Sequence, residues 1–338
     1  MRHARRGFAL VIVLWVLAGL TVVAVAVASS LRTSAESVKL LRDRVRAEAA
    51  FLSTGARVLM LLSTARGSQI TYESGHGTLF ADGRPLQTGV ADEWVAVQDL
   101  RGLASLNRPA EQRLARLLQG CGADATNATR LVDALLDYLD SDSLKRLNGA
   151  EAFEYAGTDL PPPRNAALLS RAEVWRVKGW PELRKTWNGQ HCDDLVTVQG
   201  DGLFNRNTAS IQLLVADGMT PLAAAGLAQA REAGLTDLTL ATQPGGEASN
   251  PFNFAGGGRV GPAVRLTQSA AWIEWAIERE FELSPSREGG PWRLHETRVV
   301  PRRTLDGPPT SSLPPSAFWD LERERALNNA ATALPFGN

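Results

Sequence analysis

Two patterns of apolar residues follow one another at the start of the chain. From Phe8 to Leu31 no position carries a charge. Beyond it, Val38, Leu41, Val45, Ala49, Leu52, Ala56 and Leu59 recur at steps of three and four, which marks one face of a helix. Arg42, Asp43, Arg46 and Glu48 occupy the other face, where a solvated side is expected. No proline interrupts Phe8 to Arg66, and Gly19 and Gly55 are the only glycines there. A single helix over that span would be about 88 Å long at its usual rise. Its uncharged part alone suffices to cross a hydrocarbon core of about 30 Å.

After Gly67 the pattern changes. Ile70-Thr71-Tyr72, Gly77 to Phe80 and Trp94-Val95-Ala96-Val97 are candidate strands, and Asp82-Gly83 is a turn signal. From Leu106 the spacing becomes helical for about 130 residues, with Leu114, Leu117 and Leu118 on one helix. Leu131, Ala134, Leu135 and Tyr138 lie on the next. Late in the chain Ile273, Trp275, Ile277, Phe281 and Leu283 alternate with Glu274, Ala276, Glu278, Glu280 and Glu282, with Arg279 on the apolar side. That period of two is a strand, and Trp292 to Val300 is placed to pair with it across Ser284–Pro291. From Pro301 the chain is rich in Pro, Ser and Thr and reads as mostly flexible. A short helix from Ser316 through Phe318, Trp319 and Leu321 is positioned to dock back.

Composition narrows the function classes. The 338 residues suffice for roughly two domains. Lys+Arg and Asp+Glu both number 36, so no global field recruits nucleic acid. Arg2, Arg5 and Arg6 precede the apolar run without an acid, predicting a cytoplasmic N-terminus and a remainder across the inner membrane. Three readings of this opening compete. It is a plain single-pass anchor, a secretory signal cut after Ala26-Val27-Ala28, or a basic leader ending at Gly7 with a retained helix starting at Phe8. The uncharged run exceeds a signal core, and its amphipathic continuation has no use in a signal peptide, so the third is preferred. Arg5-Arg6 is a weak match to a twin-arginine signal.

Several segments, in order, resemble the minor pseudopilin K family of bacterial type II secretion. They are the leader and helix RRGFALVIVLWVLAGL, the segment LRGLASLNRP, the run LVDALLDYLDSDS with NGAEAFEY, the stretch PPPRNAALLSRAEVWRVKGW, and NRNTAS. Tyr138 stands where that family usually has Trp. The resemblance implies an α+β fold, with a pilin-like N-terminal helix packed on an antiparallel sheet and an inserted all-α domain. Its expected divisions are a leader over 1–7, the helix over 8–67, a first β part over 68–105 and the helical insert over 106–238. A second β part follows over 239–303, and a tail over 304–338. It further implies cleavage by a prepilin peptidase after Gly7 and methylation of Phe8. Implied partners are other minor pseudopilins (I, J and H types) and the inner-membrane assembly platform. Ile12 occupies the fifth position after the cleavage site, where most pilin-like subunits carry Glu. A buried carboxylate there pairs with a neighbour's N-terminal ammonium. A subunit with Ile12 lacks that acceptor yet still offers its own Phe8 amine, which suits the filament tip. For a plain anchor, Ile12 would simply be a good transmembrane residue.

Other chemistry is sparser. Cys121 and Cys192 would lie in an oxidising compartment, where a disulfide is preferred over two free thiols. Asp137, Asp140 and Asp142, with Glu151 downstream, present oxygen ligands suited to calcium but not in an EF-hand pattern. An ordinary solvated helix end is the simpler alternative. No cofactor is required, and calcium is the one ion the run suits. Asp193, Asp194 and Asp201 form a weaker cluster. Gly256-Gly257-Gly258-Arg259-Val260-Gly261 matches a dinucleotide loop formally, but Pro262 follows where a helix should begin. No HExxH, GxSxG or Walker motif occurs, and no enzyme is expected. The stretch from Asn205 to Gly234 resembles a helix-hairpin-helix, but its basic residues are too few for phosphate binding, and no nucleic-acid partner is expected.

Overall fold

The structure, a computed structural model, describes residues 6–74, 77–88, 92–232, 258–284, 288, 290–302 and 311–312. Helix α1 (Arg6–Thr64) runs for 59 residues without a break. The chain divides into two units, Met1–Ser53 and Thr54–Asn338. Throughout the apolar run of the first, Leu10, Val13, Trp15, Leu17 and Leu20 stand exposed.

The second unit contains the last turns of α1 and all strands. Strands β1 (Arg66–Gly67), β2 (Thr71–Ser74) and β3 (Gly77–Phe80) form a small antiparallel sheet. Strands β4 (Asp82–Gln87) and β5 (Glu93–Asp99) begin the main one. The chain then leaves it through β6 (Ala104–Ser105), α2 (Glu111–Gly120), α3 (Ala125–Leu139), α4 (Ala152–Tyr155) and α5 (Arg184–Gly189). It continues with β7 (Val196–Thr197), α6 (Ile211–Ala216) and α7 (Pro221–Glu232). Strands β8 (Ala263–Ala270), β9 (Trp275–Leu283), β10 (Trp292–Pro301) and β11 (Ser311–Ser312) complete the sheet. Its order is β10-β9-β8-β5-β4-β11, antiparallel except for the β4–β11 pair. The fold is α+β, as expected.

Two apolar cores serve this unit. Val58, Leu59, Leu61 and Leu62 of α1 pack with Val95, Val97, Val264, Leu266 and Phe281 of the sheet. The other begins at Leu100 and gathers the helices, with Trp180, Trp187, Leu131 and Leu135 fully buried. Short β6 and β7 pair in parallel inside it, and 3₁₀ turns such as Arg171–Arg176 replace longer helices. The helical spacing after Leu106 therefore overstates helix content, because apolar residues buried in irregular segments satisfy the same template.

One expectation among the strands needs amendment. Asp82-Gly83 is not a hairpin turn. It opens β4 beside an irregularity in the β4–β5 ladder, with Gly83 at φ +78°. The alternation that begins at Ile273 does form strand β9 (Trp275–Leu283), but Glu278 and Glu280 on its polar side are buried. Central β8 escaped the pattern reading because Arg265, Thr267 and Gln268 interrupt its apolar positions, yet Arg265 and Gln268 are buried. The β9–β10 pairing is as expected, Trp292 opposite Leu283. The expected leader residues before Arg6, and the tail except Ser311–Ser312, lie outside the described residues.

Candidate functional site

The residues singled out in the sequence fall in three places. Gly7, Phe8 and Ile12 all lie in α1. The side chain of Phe8 is outside the described residues, and Ile12 is about half exposed at 49%. The helix is long and apolar enough to cross a membrane.

The acidic run forms a second place. Helix α3 starts at the Asp124 cap, whose Oδ1 accepts from Asn127 N at 2.9 Å. It stops at Asp140, and the loop after it folds back over the helix. Both oxygens of Asp137 accept from Arg146 N at 3.2 Å. Asp133 Oδ2 accepts from Asn148 N at 3.2 Å and from its Nδ2 at 3.0 Å. Gly149 closes the fold so tightly that a Cβ there would sit 1.9 Å from Asp137 Oδ2. This returns Glu151 to the end of α3, where carboxylate oxygens of Asp140, Asp142 and Glu151 lie within 4.8 Å of one another. Asp137 is outside that trio, held by the loop backbone.

This trio is satisfied only in part, with Asp142 Oδ1 accepting from Leu144 N at 2.8 Å. Asp140 Oδ1 and Glu151 Oε1 are buried with no hydrogen-bond partner among the described residues. Burial, then the charge of Asp142, raises the Asp140 pKa. Burial, then Asp137 and Asp140, raises that of Glu151. Asn165, at φ +52°, donates from Nδ2 to Asp142 O at 2.9 Å, and its own Oδ1 is buried without a partner. Sequence reasoning missed Asn165, since nothing in the sequence spacing places it beside Asp142. An oxygen-only group with orphaned buried acceptors fits a hard divalent cation such as calcium.

The third place is the disulfide. Cys121, just after α2, is bonded to Cys192, with Cα atoms 6.1 Å apart. Asp193 and Asp194 follow it but do not join Asp201 in a cluster: Asp201 accepts from Arg101 Nη2 at 2.5 Å, and Asp193 pairs with Arg171 and Arg298.

Several motif residues, and Asp99 just before the segment that starts at Leu100, are structural hubs. Asp99 Oδ2 accepts from Asn205 Nδ2 at 3.1 Å and Thr208 Oγ1 at 3.0 Å; its Oδ1 accepts from the N–H groups of Arg101 and Gly261, each at 3.1 Å. Asn107 joins Leu168 and Val198 through its side-chain amide. Glu173 accepts from Tyr138 Oη at 3.1 Å, Arg164 Nη1 at 3.0 Å and Leu169 N at 2.8 Å. Between the helices and the sheet, buried Arg171 donates to Glu278 at 2.8 Å and Arg265 to Glu280 at 2.7 Å.

The helix-hairpin-like segment spends its basic residues internally. Arg206 pairs with Asp217, which Arg113 of α2 also meets, and Arg231 is buried against the carbonyls of Ala209 and Arg206. The glycine-rich stretch leads into strand β8, not a helix, so a dinucleotide loop has no helix terminus to work with. Its Gly256 and Gly257 are outside the described residues.

Comparison with known proteins bears on residues 96–184, which match the family model described as "Type II secretion system (T2SS), protein K". Among solved structures, one chain of the GspK-GspI-GspJ complex from the enterotoxigenic Escherichia coli type 2 secretion system is similar. It is 17% identical with a TM-score of 0.48, covering 80% of this chain and 99% of that one. No curated protein sequence matches the chain. The matched stretch holds the acidic loop, Asn107 and the Glu173 hub, three of the segments in which the sequence resembles the pseudopilin K family. The similarity of this chain to protein K of the type II secretion system thus rests on residues 96–184.

Proposed function

We propose that this chain is a minor pseudopilin at the tip of a type II secretion pseudopilus, where it starts or caps assembly for export of folded proteins across the outer membrane. The observation that carries the reading is the joining of a protein K domain to an N-terminal helix long and apolar enough to cross a membrane. In this reading the N-terminus is cytoplasmic and the globular part periplasmic, with one crossing of the inner membrane. A prepilin peptidase cuts after Gly7 and Phe8 is methylated. Other minor pseudopilins, of the I, J and H types, and the inner-membrane platform are the partners. With Ile12 in place of Glu, the subunit offers an ammonium to a neighbour and no carboxylate in return.

Calcium belongs to the same proposal. Asp140, Asp142 and Glu151 would hold it, supported by the orphaned oxygens of Asp140 and Glu151. The ion supplies positive charge that removes the repulsion between them.

N-terminal sequencing and intact mass of the protein purified from membranes test the main reading. The expected species begins at methylated Phe8. A mature chain beginning at Ser29 makes the helix a signal peptide, and one beginning at Met1 makes it a plain anchor; either result overturns the proposal.

A further inference from the structure

Among the described residues, the sheet face opposite the last turns of α1 is only partly covered. Neighbouring strands there bring Trp94, Ser269, Ala276 and Val300 into one cross-strand row, and Ala96, Thr267 and Glu278 into the next. The excursion between β5 and β8 shields one end of this face, through Leu103 and Leu195. The remainder is an open cleft of about 590 Å³ floored by Trp94, Ala96 and Ala276. Ser269 Oγ, on its floor, is buried without a hydrogen-bond partner among the described residues.

Strand β11 brings a further segment of the chain to the edge of that cleft. Ser311 and Ser312 run parallel to β4, opposite Leu86 and Gln87, and Gln87 is itself paired with Trp94. The strand is thus two spacings from Trp94, about 10 Å. Residues 313–338 follow, and Phe318 comes six residues after Ser312, a reach of up to about 20 Å. The sequence there, Leu-Pro-Pro-Ser-Ala-Phe-Trp-Asp-Leu from Leu313, concentrates three large apolar side chains within four positions, Phe318 to Leu321.

We propose that the segment Ser316–Leu321 of the same chain docks in this cleft, with Phe318 and Trp319 against Trp94, Ala96 and Ala276. Two aromatic side chains would pack against the apolar floor of Trp94, Ala96 and Ala276, and the Trp319 N–H is the polar handle such a site uses. The short connection from β11 keeps the local concentration of the segment far above that of any free partner.

The test uses the full chain in detergent. In the Ala96→Cys/Phe318→Cys variant, mild oxidation should join the two positions within one chain in most molecules, read by non-reducing electrophoresis and peptide mass. In Val299→Cys/Phe318→Cys, whose residue 299 is exposed on the opposite face, the yield should be at least fivefold lower. Separately, Phe318→Ala/Trp319→Ala should raise the hydroxyl-radical oxidation rate of Trp94 at least threefold. Equal yields in the two cysteine pairs, linkage only between two chains, or an unchanged Trp94 rate each overturn the proposal. Linkage between chains would instead assign the cleft to a second copy.

Discussion

A branched alkyl group at position 12 can accept neither a proton nor an ion pair from a neighbour's N-terminal ammonium. On the proposed tip assignment, Ile12→Glu supplies an acceptor and should move the protein from the fibre tip to positions along the fibre. Site-specific crosslinking to the other pseudopilins reads this as at least a severalfold change in neighbour pattern; an unchanged pattern counts against the tip assignment. The acidic trio gives a second test at this scale. Folding raises the pKa of Glu151, so the folded state binds its proton more tightly than the unfolded chain does. Stability of the calcium-free protein therefore falls as pH rises from the unfolded carboxylate range, near about pH 4, through the raised value. Glu151→Gln should raise Tm in EDTA at pH 7, with the gain fading toward pH 4. In calcium the same substitution should lower Tm, since a ligand charge is gone. Melting curves in both buffers across this range decide; a lowered Tm in both at pH 7 would remove the repulsion argument. The acidic residues themselves were legible because carboxylates cluster in sequence. Asn165 and Gly149 were not, because their roles come from loop closure.

Elements follow the same division. Helices α2 and α3 were readable from periodicity, since each buries one regular stripe. Helix α1 and the β9–β10 pair were readable as elements only: Val38, Leu41, Val45 and Leu52 of the stripe marked on α1 are exposed, and β9 buries Glu278 and Glu280 from its polar side. Strand β8 was not: its Arg265 is buried only because β9 supplies Glu280 at 2.7 Å. A strand that buries both faces with paired charges loses the alternation on which the reading depends. Between elements the Cys121–Cys192 bond ties the end of α2 to the turn before β7 across 71 positions. Closing so long a loop contributes about 4 kcal/mol in the chain-entropy model. Replacing both cysteines with Ala should lower Tm by roughly 10 °C. Calorimetry on the oxidised wild type and the variant checks it, and a shift of only a degree or two would show that the loop is already constrained without the bond.

At the scale of the whole unit, a buried ion network fastens the excursion to the sheet. Arg171, 1% exposed, meets Glu278 at 2.8 Å, Glu296 at 3.4 Å and Asp193 at 3.5 Å. Burial opposes its charge, and Glu280, Glu278 and Asp193 more than offset that, holding its pKa above the usual value. Removing one partner of such a group leaves the others uncompensated, so Arg171→Met should cost about 3–5 kcal/mol. Arg171→Met combined with Glu278→Gln should recover part of it. Urea unfolding of both variants measures the difference, and equal losses would mean that the two residues are not energetically coupled. None of this was visible in sequence, where Arg171 and Glu278 are 107 positions apart.

Asp99 collects the N–H groups of Arg101 and Gly261 on one oxygen, so the polypeptide departs from the sheet and comes home at a single point. Because loop-closure entropy grows only slowly with length, mutation can lengthen, trim or exchange much of what lies between without moving one strand out of step. The framework and the ornament it bears are therefore free to evolve at separate rates.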